Sequence, residues 1–389
     1  MEARSSELPA PALSRGTWLL TAAGVFAVTL SAFVAVGAAL PVLPRFVRGP
    51  VHAGDVAVGV VIGAFSVSAI VVRPWAGHLA DRRGRKPAVL AGTLLTGLAG
   101  TLLLTSASLP MVLASRLVMG AGEGLLFTAG SAWIVDLAPA DRQGQTIGLF
   151  GLSVWGGMAL GPLIGDQLLR LAGYDAVWVM MALVPLAGGL VAWRLTETRR
   201  PPSSAVPGPL IPRAVLAPGA ALALANAGYA TMAAFVVLAL SHRGIGHGAL
   251  VFTAYAAAVV GSRLLLGRLP DRIGARRSAV LAGLAEAAGL AVIAEAGSWP
   301  VAVAGGVVMG AGFSLLYPAL ALAVVQRTGE HARGRALGGF TAFFDLGMGV
   351  GAPAAGALAA LGGYGLAFWV ATSAALGAAV VAWCLLPGR

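Results

Sequence analysis

Long apolar segments alternate along the chain with short segments that hold most of the charged residues and many Gly and Pro residues. Each apolar segment is close to the roughly 20 residues that an α-helix needs to cross about 30 Å of hydrocarbon. The pattern therefore predicts an all-α membrane protein with twelve transmembrane helices. We place the spans at 17–40, 56–76, 88–108, 110–134, 145–170, 176–194, 214–240, 249–267, 279–297, 300–325, 335–361 and 364–386.

The composition supports a membrane protein built from two bundles. Of the 389 residues, 58% are hydrophobic and 11% are charged, and the mean hydropathy is +0.87. Such a chain does not form a water-soluble domain, and the twelve spans leave no room for a large soluble domain. The segment 195–213 is rich in Pro, Arg and Ser and predicts a cytoplasmic connector between six-helix bundles at 1–194 and 214–389.

The basic residues predict the orientation in the membrane. With the N-terminus placed inside, most of the 26 Lys and Arg residues fall on one side, whereas Arg45, Arg48, Arg170 and Arg243 fall on the other. By the positive-inside rule, both termini are cytoplasmic and the chain lies in the inner (plasma) membrane. The formal net charge of +11 comes from short clusters between apolar segments, so it indicates topology and not nucleic-acid binding.

The sequence contains an internal repeat with an offset of 190 residues. Equivalent helices are separated by six helices, so they run in the same direction, and the halves form parallel repeats about an axis along the membrane normal. Two such bundles can rock about a midplane site, which predicts transport; the alternative is a duplication that only builds a stable bundle. The matched residues include Arg73 and Arg263, Gly77 and Gly267, Asp81 and Asp271, Arg82 and Arg272, Gly84 and Gly274, and Gly157 and Gly347.

The segment from Gly77 to Lys86 resembles the signature of the major facilitator superfamily, and Gly267 to Arg277 resembles its weaker second copy. Gly permits a tight turn there, and Asp81 can lie near the positive end of a neighbouring helix. The resemblance implies that Asp81 locks the halves together on the cytoplasmic side when the cleft faces outward, with Asp136 as partner of the arginines; the alternative is a solvated topogenic cluster. The implied gate consists of Gly77, Asp81, Arg82, Gly84, Arg85, Asp136, Gly267, Asp271, Arg272 and Gly274.

A second motif, in the fifth predicted helix, resembles the signature of the 12-helix drug and proton antiporters. It consists of Gly157, Gly161, Pro162 and Gly165. Small residues four positions apart let helices approach closely, and Pro bends a helix by removing a backbone donor. Helix packing alone could also select these residues, and a fairly intact second copy from Gly347 through Pro353 to Gly356 places that packing role in both halves.

Charged residues inside the predicted spans are the candidates for proton coupling. Arg116 and Glu123 lie seven residues apart on the fourth helix and share one face, which the cost of an intramembrane charge directs towards a cavity. Glu123 is the leading candidate for a protonatable group, with Asp345 next and Glu286 last; a fixed ion pair of Glu123 with Arg116 or with another helix is the alternative. The family's drug exporters often carry an acidic residue where this chain has Ala32, so coupling rests on the other acids.

Family analogy implies that the first, fourth, seventh and tenth helices form the substrate surface. A mostly apolar cavity suits an amphipathic organic molecule better than a sugar, which needs several polar partners. For each candidate residue taken singly, a packing role is favoured over a substrate contact. The aromatic and polar candidates are Phe26, Phe33, Phe127, Trp133, Asn226, Tyr229, Phe313 and Tyr317.

Together these patterns predict a monomeric, proton-coupled exporter of a hydrophobic or amphipathic small molecule, with protons and membrane lipid as further partners and no cofactor. A transporter of a polar metabolite such as a sugar or organic acid is the alternative, and a non-transporting membrane sensor or scaffold is a third interpretation. The five His residues form no HExxH array, and there is no GxxxxGK[ST] loop, so neither an enzyme nor ATP-driven transport is expected.

Overall fold

The computed structural model describes residues 15–137, 143–197, 212–328 and 333–386, and within these ranges all regular structure is helical. Ten described helical segments are long and apolar enough to cross a membrane. Two of them are too long for one crossing, because a helix of 45 residues extends roughly 68 Å at 1.5 Å per residue. Gln143–Arg194 is interrupted at Gly173, and Arg333–Leu385 is interrupted at Gly362 and Gly363, so each contains two spans.

The all-α fold with twelve spans is therefore confirmed. The boundaries differ most at the ends of the first two helices. The first predicted span ends at 40, but α1 continues past Pro41 and Pro44 to Arg48; the second ends at 76, but α2, which contains Pro74, continues to Arg83. A proline costs the helix one backbone bond, which neighbouring groups in a bundle can compensate. The helices are α1 (Arg15–Arg48), α2 (Asp55–Arg83), α3 (Arg85–Thr105), α4 (Leu109–Leu137), α5 (143–172), α6 (174–194), α7 (Arg213–His242), α8 (Gly248–Leu266), α9 (Ala275–Glu295), α10 (Trp299–Gln326), α11 (333–361) and α12 (364–385), with a short helix at Leu269–Ile273 before α9.

The turn into α3 is repeated at the turn into α9. Gly84 has a φ of 102° and Gly274 a φ of 90°, values that a residue with a Cβ rarely adopts. The backbone N–H of Gly84 donates to the Ala80 carbonyl at 3.1 Å, and that of Gly274 donates to the Pro270 carbonyl at 3.0 Å. The first part of the signature is therefore the end of α2, and the tight turn comes only at Gly84.

Glycines bring the first helix of each half against the fifth. A Cβ at Gly161 would lie 2.5 Å from the Val34 carbonyl oxygen of α1, and one at Gly165 would lie 2.6 Å from the Ala38 carbonyl oxygen. In the second half, Gly351 of α11 approaches Ala227 of α7 in the same way. The fifth-helix motif thus packs helices together, as does its echo.

We call α1–α6 the N-half and α7–α12 the C-half. The basic face is the end of the bundle that holds the turns at Gly84 and Gly274; the opposite face holds those at Gly173 and Gly363. Towards the opposite face, one continuous buried apolar cluster contains residues of both halves, including Leu43, Phe46, Val237 and Leu240.

Towards the basic face, each half has its own cluster. One contains only N-half residues, such as Ala88 and Trp133, and the other contains only C-half residues, such as Ala279 and Leu320. The halves are therefore joined at the opposite face and parted at the basic face.

Polar contacts reinforce the junction at the opposite face. The Tyr364 hydroxyl lies 3.2 Å from Asp55 Oδ1, to which it donates, and Thr253 Oγ1 donates to the Ala159 carbonyl at 3.0 Å. Both hydrogen bonds connect one half to the other. They close the side of the molecule away from the basic turns.

Candidate functional site

A cavity of about 430 Å³ lies between the two halves. Because the shared apolar cluster closes the opposite face, the cavity opens towards the basic face. Its walls are mostly aromatic and aliphatic, with few polar groups. The aromatic lining residues are Phe33, Phe65, Phe127, Phe150, Trp155, Tyr229, Phe313, Tyr317 and Phe344, and the charged ones are Arg73, Arg116, Glu123, Arg263 and Asp345.

Arg73 forms an ionic cluster in this cavity with one acid from each half. Its Nε lies 2.6 Å from Asp345 Oδ2, and its Nη2 lies 3.3 Å from Glu123 Oε2. The guanidinium also lies 5.0 Å from the centre of the Phe127 ring. Arg73 is on α2, Glu123 on α4 and Asp345 on α11, so the cluster bridges the two halves.

The charges of this cluster do not balance. One guanidinium faces two carboxylates whose side chains are only 7% and 3% exposed. An uncompensated charge away from water is costly, so binding one proton would neutralise the cluster. The charge of this cluster therefore sets the strength of an ionic contact between the halves.

Arg116 does not pair with Glu123, so that form of the fixed-pair alternative is wrong. Glu123 is instead in an ion pair with Arg73 of α2, which is the interhelix form of the same alternative. Its Nε donates to the Val61 carbonyl at 3.3 Å, and its guanidinium lies 4.7 Å from the centre of the Phe65 ring. Two helical turns separate Arg116 from Glu123, and the Arg116 side chain reaches α2 instead. Both residues nevertheless line the cavity, as their shared helix face predicts.

A second charge network lies at the basic face and connects residues of the N-half with Glu197, which follows α6. Arg85 Nη1 lies 2.6 Å from Asp81 Oδ1, and Arg85 Nε lies 3.0 Å from Asp136 Oδ2. The Glu197 carboxylate accepts the backbone N–H groups of Arg85 and Lys86, both at 2.9 Å. Glu197 thus stabilises the positive end of α3. The signature motif did not point to Glu197, because it follows α6 and is distant in the sequence.

Two matches to one family cover most of the chain. The sequence model of the Major Facilitator Superfamily matches residues 25–249 and 216–389. The chain belongs to the Major Facilitator Superfamily. It is therefore a multi-pass membrane transporter that takes a small-molecule substrate, and not an enzyme.

Relatives within the superfamily match over almost their whole length. A protein of Salmonella typhimurium, described as an uncharacterized MFS-type transporter, is 30% identical over 380 residues, which are 95% of this chain and 98% of that protein. A similarly described protein of Pseudomonas aeruginosa is 32% identical over 390 residues, 97% of this chain and 96% of that protein.

Solved structures of the superfamily share the fold at low identity. The nucleoside transporter NupG has a TM-score of 0.78 at 12% identity, covering 93% of this chain and 98% of that one. The xylose transporter XylE from Escherichia coli, in an inward-open conformation, has a TM-score of 0.75 at 15% identity, covering 96% of each chain. The human organic anion transporter MFSD10 has a TM-score of 0.71 at 19% identity, covering 94% and 99%.

Most of the substrate candidates that superfamily analogy implied lie in the cavity wall, but three do not. Asn226 Nδ2 donates to the Phe344 carbonyl at 2.8 Å, Trp133 is buried in the N-half cluster, and Phe26 lies outside the wall. The cavity wall contains residues of the expected α1, α4, α7 and α10, and also residues of α2, α5, α8 and α11. The predicted residues in the wall are Phe33, Phe127, Tyr229, Phe313 and Tyr317.

The two equivalent arginines were the largest omission of the sequence reasoning. In the sequence, Arg73 and Arg263 were matched only as copies of the repeat, but both line the cavity. The usable signal was position: Arg73 lies ten residues before the end of α2, too deep to reach the interface easily. Glu286, in contrast, is fully buried in the C-half and does not line the cavity.

Other predicted residues lie as follows. Gly77 is inside α2, where an added Cβ would meet nothing within 4 Å, so no close approach requires Gly there. Gly267 follows α8, and Asp271 and Arg272 are in the short helix before α9. Arg82 lies in the last turn of α2.

Most of the predicted connector, 198–211, is outside the described residues. Two acids inside predicted spans were missed: Asp166, which pairs with Arg45 and Arg170, and Glu295, which accepts a hydrogen bond from Trp369.

Proposed function

We propose that this transporter is a proton-coupled exporter of hydrophobic or amphipathic small molecules that works by alternating access. The observation that carries the proposal is the ionic cluster of Arg73, Glu123 and Asp345. The cluster holds one surplus negative charge and bridges the halves. Protonation of one of its acids therefore weakens the ionic contact between the halves. A proton taken up at this point therefore changes the balance between the two openings of the cleft.

The cavity wall supports the substrate class. Its surface is largely aromatic and aliphatic, which favours an organic molecule with a large apolar body. A sugar would need several hydrogen-bonding side chains, and the uncharged polar residues of the wall are few, among them Ser66, Ser131 and Thr341. Transport of a polar metabolite is therefore the weaker candidate.

The orientation and the gate belong to the same proposal. With the basic face in the cytoplasm, both termini are cytoplasmic, the membrane is the inner membrane, and the observed cavity faces inward. Asp81, Arg85 and Asp136 then form a gate that closes the cytoplasmic side in the other conformation. In the observed conformation, the ion pairs of Arg85 with Asp81 and Asp136 lie within the N-half. The transporter acts as a monomer with a cytoplasmic connector at 195–213 between its bundles.

Flux measurements test the coupling. In proteoliposomes with an imposed pH gradient, across a panel of lipophilic cations, neutral antibiotics and sugars, we expect Glu123→Gln to abolish gradient-driven flux while leaving the folded protein intact. Glu295→Gln is the matched control, because Glu295 is a carboxylate outside the cavity that accepts a hydrogen bond from Trp369. Unchanged gradient-driven flux in Glu123→Gln would remove this residue from the mechanism.

Cysteine labelling tests the orientation. The chain has one cysteine, Cys384, which is exposed and is first replaced by Ser. Single cysteines at Arg83 and Arg277 should react only from the cytoplasmic side, and one at Gly246 only from the outside. Labelling of the first two positions from opposite sides would refute the parallel repeat.

A further inference from the structure

Arg263 is a cavity cation that has no ion pair or hydrogen bond among the described residues. It extends from α8 towards the N-half, where a Cβ at Gly151 of α5 would lie 3.3 Å from its Nη1. The other two cavity arginines have partners. Arg73 pairs with the carboxylates of Glu123 and Asp345, and Arg116 donates to the Val61 carbonyl and lies over the Phe65 ring. Arg263 is thus the guanidinium that a ligand can use.

The internal repeat shows why Arg263 has no partner. At the offset of 190 residues, Arg263 is equivalent to Arg73, Phe313 to Glu123, and Trp155 to Asp345. Both acids of the Arg73 cluster are therefore replaced by aromatic residues at the equivalent positions. All three residues of this second set line the cavity.

The equivalence holds in the packing as well as in the sequence. Gly120 of α4 approaches the Phe65 carbonyl of α2, and Gly310 of α10 approaches the Tyr255 carbonyl of α8, at the same offset. The helices that carry Arg73 and Glu123 are thus packed like those that carry Arg263 and Phe313. The second set keeps the framework of the ionic cluster without its negative charges.

The aromatic residues of this set form a continuous wall. The ring centres of Trp155 and Phe313 are 5.7 Å apart in an edge-to-face arrangement, and those of Trp155 and Tyr255 are 6.0 Å apart. A wall of this kind accepts an apolar or aromatic body. Beside it, a planar guanidinium without a counter-ion is suited to bind a carboxylate with two parallel hydrogen bonds.

We propose that Arg263, with Trp155 and Phe313, binds the anionic group of the substrate. The substrate class is then an amphipathic organic anion, with one carboxylate attached to an apolar or aromatic body. The anion takes the place that the two acids take beside Arg73. This inference rests on the proposed function, since it names the substrate class of the same cavity.

Equilibrium binding tests it without transport. We would measure by calorimetry, on the purified protein in phosphatidylcholine nanodiscs, the affinities for 2-naphthoate, its neutral amide and the corresponding amine. We expect naphthoate to bind at least about tenfold more tightly than the amide, the size of one charge-assisted hydrogen bond. Equal affinities for acid and amide in the unmodified protein would overturn the proposal.

Variants then show which residues produce the preference for the acid over the amide. Arg263→Gln should abolish the preference for the acid, Arg263→Lys should keep part of it, and Arg268→Gln, at the basic face, should keep all of it. Phe313→Glu should also abolish it, because it restores an acid at the position equivalent to Glu123. Preference for the acid retained in Arg263→Gln would contradict the proposal, and a folded Arg263→Lys variant that behaves as Arg263→Gln would show that charge alone does not explain it.

Two further outcomes distinguish a lipid ligand from a small-molecule ligand, and this proposal from the proposed proton coupling. If an anionic lipid headgroup is the natural ligand, adding phosphatidylglycerol to the nanodiscs will weaken naphthoate binding, and the small-molecule assignment is overturned; unchanged binding supports it. If the acid preference is present but no pH gradient drives flux, the proposed coupling fails while this site stands.

Discussion

Arg73 and Arg263 occupy equivalent positions in the two halves, but their surroundings differ. Arg73 has Glu123 and Asp345 within hydrogen-bonding distance, whereas aromatic residues stand at both equivalent positions beside Arg263. The backbone contacts around the two positions have been kept, because bulkier residues would separate the helices. Residues that face the cavity carry no such constraint. One fold can therefore hold an ion-paired arginine at one of two equivalent positions and, among the described residues, an arginine without an ion pair at the other.

The largest expected effect is a difference in the stability of the folded protein between variants of Arg73 and of Arg263. Arg73→Gln should destabilise the folded protein by about 3–5 kcal/mol at neutral pH, because it leaves two carboxylates without a cation. Arg263→Gln removes a charge that has no partner and should cost far less. Thermal unfolding of both variants in the same detergent measures the difference, and acidification should restore part of the stability of Arg73→Gln. Equal losses in the two variants would show that the Arg73 contacts contribute little.

A smaller difference is expected at the repeated turns. Gly84→Ala and Gly274→Ala both force a residue with a Cβ to a positive φ, at a cost of about 1–3 kcal/mol. Gly84→Ala should cost more, since its Cβ would also meet the Glu197 carboxylate at 2.5 Å. Unfolding temperatures of the two variants would decide this, and a larger loss in Gly274→Ala would contradict it.

The smallest expected effect concerns the cap of α3. Glu197→Gln keeps the acceptor oxygen but removes the negative charge from the helix end, which should cost about 0.3–1 kcal/mol. Because the contribution is electrostatic, the difference in unfolding temperature from the unmodified protein should shrink as salt is added. A difference that does not depend on salt would mean that geometry and not charge determines the cap.

The shared face of Arg116 and Glu123 follows from helical periodicity, and both residues do line the cavity. Their partners did not follow, because a side chain's partner belongs to whichever helix packs against it. Arg73 reaches Asp345 across 272 residues of sequence, a contact that no local pattern encodes.

The sequence alone determined the membrane class, the twelve spans and the repeat. A helix that crosses the hydrocarbon needs a continuous apolar segment of nearly fixed length, so the spans can be recognised in the sequence. The two copies of the repeat can be recognised too, because their matching residues share one offset. Charge clusters between the spans also marked which loops share one side of the bundle.

Only the tertiary structure decided which way the cavity opens and which charges meet. The two halves can be joined at either face with the same helices and the same loops, so the open side depends on how residues distant in sequence pack. Here Leu43, Phe46, Val237 and Leu240 share one apolar cluster at the opposite face, while the halves keep separate clusters towards the basic face. The same relative position of the halves brings Asp345 to Arg73 and leaves Arg263 without a partner in the described chain.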